Sequence, residues 1–122
     1  MLKREKRLIY IRKRDWLAWC AGFFDGEGCF YVVKSGRNKY IRAVVTQKDR
    51  RLLERFINIL GFGKIGKPNS RGIHQVAYSN VPQVFMLYEH LAPYLGPQKT
   101  EQFQTKLAEY LTAKQEVGRV RI

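Results

Sequence analysis

Residues 15–28, Asp-Trp-Leu-Ala-Trp-Cys-Ala-Gly-Phe-Phe-Asp-Gly-Glu-Gly, constrain this chain more than any other stretch. They predict a short helix over residues 16–25, apolar on nearly every face, with Asp15 as N-cap and Gly26 and Gly28 as stop signals. A helix this apolar must be covered on both sides, so one face needs the domain's own core and another needs a second surface. Ala18, Ala21 and Gly22 keep side chains small where another helix backbone could approach. An interior glycine costs about 1 kcal/mol relative to alanine unless that proximity is needed. The stretch closes on two carboxylates, Asp25 and Glu27, at the end where the helix dipole is already negative. Anions gathered there point to a cation that joins them.

Charge narrows the partner. Twenty-three Lys and Arg face ten Asp and Glu, a net charge of +13, the footprint of a polyanion binder. The excess is uneven: about +6 over residues 1–14, +9 over 29–81 and only +1 over 82–122. The basic character therefore lies in a leading arm and in the segment that reads below as β-hairpins. A membrane is the weaker partner, because no run approaches the ~20 apolar residues of a span. Cys20 and Cys29 suit neither a zinc site nor a disulfide framework. No secretion signal is evident, so an intracellular protein is expected.

Alternation over Cys29–Lys34 and Lys39–Gln47, around the turn at 35–38, predicts a first hairpin. Phe30, Val32, Ile41, Ala43 and Val45 would face the core, while Tyr31, Val33, Tyr40, Arg42 and Val44 face outward. Residues 48–60 form an amphipathic helix capped by Gly61. A second hairpin is expected from strands 62–67 and 73–79, followed by helices over 82–90 and 99–115. The prediction is an α+β fold on one antiparallel sheet, with a basic arm at 1–14 and a single domain over 15–122. His74 and His90 show no ligand spacing and read as structural or surface residues. Trp16 and Trp19 read as core or interface contacts.

Cys20-Ala-Gly-Phe-Phe-Asp-Gly-Glu-Gly28 resembles the motif that names the LAGLIDADG homing endonucleases. Val45-Thr-Gln-Lys48, Leu60-Gly-Phe-Gly-Lys-Ile65 and Leu91-Ala-Pro-Tyr-Leu95 agree in order along the chain. The resemblance implies an αββαββα fold with a saddle-shaped, four-stranded antiparallel sheet that straddles DNA, plus an extra C-terminal helix. One motif copy implies a homodimer joined at the motif helices, with Ala18, Ala21, Gly22 and Asp25 at the interface. The implied activity is metal-dependent cleavage of both strands of a long, near-palindromic site, as in intron-encoded members of the family. Glu27 would bind Mg²⁺, assisted by the Gly26 carbonyl, and Gln47 would organise solvent around the attacking water. Arg51 and a lysine, for which Lys99 is the best match and Gln98 the rival, would line the scissile phosphate. No small-molecule cofactor is implied.

The hairpins would read double-stranded DNA through Tyr31, Val33, Arg37, Asn38, Tyr40, Arg42, Lys64, Arg71 and Gln75. A strand of that length spans ~25 Å, or roughly seven base pairs per half-site. A two-stranded ribbon fits the major groove. A second reading stays open: a non-cleaving nucleic-acid binder on the same scaffold, either an intron-RNA maturase or a transcriptional regulator.

Overall fold

The structure, a computed structural model, describes residues 13–120 and the side chains of residues 13–115. The basic arm expected at 1–14 lies almost wholly outside the described residues. Seven elements follow in order: α1 (Lys13–Glu27), β1 (Gly28–Ser35), β2 (Asn38–Gln47), α2 (Arg50–Leu60), β3 (His74–Tyr78), α3 (Val81–Leu91) and α4 (Pro97–Val120). Helices cover one face of the sheet, which makes the fold α+β as expected.

The motif helix is longer than its sequence signals suggest. It starts before Asp15, which sits in the first turn instead of capping, and it continues through Gly26 to Glu27. Burial of Cys20, Ala21 and Phe24 overrides the glycine stop. The chain then enters β1 without a loop. Gly28 makes this possible, since a Cβ there would lie 2.4 Å from the Phe24 ring. Helix and strand are thus joined through a contact that only a bare backbone can make.

β1 and β2 pair antiparallel from Gly28↔Val45 to Ser35↔Asn38, turning through Gly36 at φ +62. β2 also pairs with β3, from Ala43↔Tyr78 to Gln47↔His74, giving the order β1-β2-β3. Phe30, Ile41, Ala43, Val45, Val76 and Tyr78 are fully buried beneath the helices. Val32, expected with them, is only half-buried because it lies toward the turn. Asp49 caps α2 by accepting from the Arg51 amide, and Asn80 caps α3 by accepting from Gln83.

The expected fourth strand is the main departure. Residues 62–67 contribute only an isolated bridge, Ile65↔Val76, and a hydrogen bond from Gly66 N to Gln75 O of 2.8 Å. Gly61 and Gly63 hold φ values of +87 and +124, outside strand geometry. Pro68 offers no amide to extend the ladder. The described sheet therefore has three strands.

The free edge of β1 is closed by a side chain. Phe30 N donates to Gln102 Oε1 of α4 at 2.8 Å, so the helix satisfies a strand amide. Phe103, on the next position of α4, packs edge-on against Phe30 and stacks on Tyr88 of α3. These contacts lock α4 across the first hairpin.

Candidate active site and nucleic-acid face

The two motif carboxylates have different environments. Asp25 is half-buried and accepts from Gly96 N with both oxygens, at 3.1 and 3.0 Å. Gly96 sits at the start of α4, and its carbonyl accepts from Thr100 N and Thr100 Oγ1. Asp25 therefore stands at the positive end of α4, which offsets its poor position at the negative end of α1. Gly96 is required by this approach, since a Cβ would lie 3.2 Å from Asp25 Oδ2. Asp25 thus has a hydrogen-bond donor within the fold.

Glu27 has no such compensation. It is exposed at the last position of α1, and none of the ion pairs or side-chain hydrogen bonds among the described residues reaches it. The last carbonyls of a helix, Gly26 among them, have no intrahelical donor and point past its end. A carboxylate beside open backbone carbonyls is an all-oxygen donor set that suits a hard divalent cation. Among the described residues no three His, Cys, Asp or Glu side chains cluster as a ready-made metal cage.

The sheet register brings Gln47 to the same end of the molecule, because Gly28 pairs with Val45 two residues earlier. Gln47 Oε1 accepts from Lys48 N at 2.9 Å and Asp49 N at 3.3 Å, fixing the side chain at the strand-to-helix corner. Arg51 is held by Asp49 through two contacts, Nε to Oδ1 at 3.0 Å and Nη2 to Oδ2 at 2.9 Å. Its guanidinium beside Asp49, with its backbone amide, holds the Asp49 carboxyl below the usual range. The Arg51 side chain is 86% exposed, so it remains accessible despite that pairing.

Lys99 is half-buried and Gln98 exposed, both in the first turn of α4. The Asp25–Gly96 contact brings that turn against the motif tip. No hydrogen bond among the described residues links Glu27, Gln47, Arg51 and Lys99 to one another. They share one end of the fold without forming a closed network.

Of the residues expected on a helix interface, Ala18 and Gly22 are exposed, and a Cβ at Gly22 or Gly26 would meet nothing. Ala18, Gly22 and Gly26 thus form an open stripe at helical spacing. Ala21 does not belong to it: it is fully buried in the protomer's own core, beside Cys20 and Phe24. Asp25 is likewise occupied within the protomer. Trp19 stacks on Phe23 and lies under Arg55, while Trp16 stays 43% exposed.

Among the described residues, no element covers the sheet face opposite the helices. Tyr31, Val33, Tyr40, Arg42 and Gln75 all lie on it, as their alternation requires. Arg37 and Asn38 stand at the hairpin turn, and Arg71 in a loop shaped by Asn69, whose Oδ1 accepts from Arg71 N and Ile73 N. Lys64 and Gln75 share a groove with Thr46, Lys67, Asn69 and Ala77. Thr46 and Ala77 escaped the sequence reading, although the β2 alternation already put Thr46 on the outward face. Among the described residues, the buried Nε of Arg42 meets no hydrogen-bond partner, and neither does Nδ1 of His74, which stands opposite Gln47.

The sequence model of the LAGLIDADG endonuclease family matches residues 20–117. The chain belongs to that family. No curated protein sequence matches it. Among solved structures, it resembles the LAGLIDADG meganuclease I-AabMI bound to uncleaved DNA, at 27% identity and a TM-score of 0.67, over 82% of this chain and 37% of that one. It also resembles the homing endonuclease I-CvuI in complex with the I-CreI target, at 23% identity and a TM-score of 0.66, over 84% of this chain and 68% of that one. The homing endonuclease I-TnaI matches at 20% identity and a TM-score of 0.66, over 82% of this chain and 74% of that one. The chain spans little more than a third of I-AabMI, and the matches below 25% identity show the fold alone.

Proposed function

We propose that the chain is a site-specific endonuclease of double-stranded DNA that works as a homodimer with a divalent metal. The observation that carries this is the placement of exposed Glu27, which has no ion-pair partner among the described residues, at the end of a sheet face that carries Arg42 and is flanked by Arg37, Lys64 and Arg71. The relatives agree in kind: I-AabMI is seen on uncleaved DNA, and I-CvuI on DNA in the presence of magnesium or calcium.

Surface chemistry supports the dimer. The open Ala18–Gly22–Gly26 stripe allows two copies of α1 to approach closely, and two Glu27 tips then complete the donor set that one protomer begins. Two-fold symmetry makes the preferred target near-palindromic. A bound Mg²⁺ would lower the pKa of the attacking water and stabilise the leaving oxygen. Glu27 and the Gly26 carbonyl would hold it. Gln47, fixed at its corner by two backbone amides, presents its Nε2 to solvent near the scissile bond. Arg51 and Lys99 supply positive charge to the phosphate as negative charge builds in the transition state.

The test is cleavage of a randomised DNA library by wild type and by Glu27→Gln in magnesium. Wild type is expected to cut an enriched site, while the variant binds it and does not cut. Equal binding without cleavage by both proteins, with a preference for structured RNA, would replace this reading with a non-cleaving binder. Sedimentation tests the dimer, and a monomer both free and on DNA would remove it. Affinity is expected to fall steeply with salt, with a log–log slope of about 0.9 per phosphate contacted.

A further inference from the structure

The uncovered sheet face is ordered in rows by its register. Cys29 pairs with Val44, and Val44 pairs with Ala77. All three point away from the helices, because their neighbours Phe30, Ala43, Val45, Val76 and Tyr78 are the buried ones. A cross-strand row of small, apolar side chains therefore crosses the full described sheet. On the side of the motif tip it is bordered by Thr46 and Gln75, and on the other by Tyr31 and Arg42. An apolar band between two polar rows has few hydrogen bonds to offer a base edge.

The major groove presents one apolar feature, the C5-methyl group of thymine. Successive rows on one face are two residues apart, about 6.7 Å, which equals about two base pairs at 3.4 Å each. Arg42 adds a landmark. It stands in the next row, opposite Tyr31, and a guanidinium can pair bidentately with guanine O6 and N7.

We propose that the Cys29–Val44–Ala77 row selects a thymine methyl in each half-site, with Arg42 selecting a guanine about two base pairs farther from the cleavage centre. This rests on the reading of the sheet as a DNA face and names the sequence preference it would carry. Two small residues and a valine give a shallow seat for one methyl. A polar base edge placed there would lose its water without gaining a partner, which makes the row selective as well as attractive.

The experiment uses wild-type protein with calcium in place of magnesium, and duplexes carrying the site enriched from a random library. Each thymine is replaced singly by deoxyuridine, which removes only the methyl. One thymine per half-site is expected to lose affinity roughly four-fold, the worth of one buried methyl, while the others change little. Val44→Thr, which keeps side-chain volume, should remove that sensitivity, with the melting curve checking the fold. Arg42→Ala should relax the preference for guanine about two base pairs outward.

Uniform indifference to deoxyuridine would overturn the proposal, as would undiminished sensitivity in folded Val44→Thr. So would a guanine preference lost at any other spacing. A library that yields no enriched DNA would instead remove the DNA-reading function itself, and this row's role with it.

Discussion

The chain builds its sheet from two hairpin segments of similar plan, and they differ sharply in finish. The first, β1–β2, is paired along eight residue pairs and turns through a single glycine of positive φ. α4 covers its edge through Gln102 and its core side through Phe103. The second has β3 on one side, and on the other a stretch held by one bridge and a few hydrogen bonds. Its glycines and Pro68 keep the backbone out of a continuous ladder. The difference teaches a division of labour. The first hairpin is fully paired and joined directly to the motif tip, and the second is a loosely paired flap carrying Lys64, Lys67 and Arg71.

The largest expected effect falls at the rigid joint. Gly28→Ala forces a Cβ into the Phe24 ring and is expected to cost about 3 kcal/mol, read from urea unfolding. An unchanged midpoint would show that the joint is looser than the packing implies. Gly63→Ala comes next, at about 2 kcal/mol, because its φ of +124 suits glycine and its Cβ would meet Tyr78 Oη at 2.7 Å. That cost would show the flap to be anchored at its root, where Tyr78 Oη donates to Phe62 O.

Gly66→Ala should be nearly silent, within about 0.5 kcal/mol, because the nearest atom to its Cβ is 3.6 Å away. Hydrogen exchange sharpens the same contrast: amides of residues 30–34 should be protected well beyond those of 62–67. Fast exchange in both segments would erase the distinction.

The smallest effect belongs to the corner after the rigid hairpin. The Arg51 side chain, aided by its amide, lowers the Asp49 pKa, so the pair stabilises the fold above the unfolded carboxyl value near 3.9 and is lost as pH falls through the lower folded value. Wild type should melt slightly above Asp49→Asn at about pH 6, with the gap closing near pH 2. The exposed position keeps the gap small.

Much of this was legible in the chain. Alternation assigned Phe30, Ile41, Ala43 and Val45 to the buried face, because strand periodicity allows only two sides. The i, i+3, i+4 pattern of Leu53, Phe56 and Leu60 placed α2. The site was harder. The resemblance gives Asp25 and Glu27 different roles, but the donor that Asp25 finds within the fold, Gly96, lies 71 positions away in the chain. His74 showed no spacing worth noting, yet the register sets it opposite Gln47. The fourth strand fails for a local reason: Gly61, Gly63 and Pro68 oppose pairing despite the apolar Phe62 and Ile65.

What the amino-acid order determined alone was periodicity, charge and the acidic motif ending, because each depends on neighbours a few residues apart. Those suffice for an α+β domain with a basic sheet and an exposed glutamate. The tertiary structure decided which carboxylate finds a backbone donor, which small residues of α1 are open, and which outward side chains stand in one row. These depend on contacts between distant segments, whose register and approach are set by packing of the whole core.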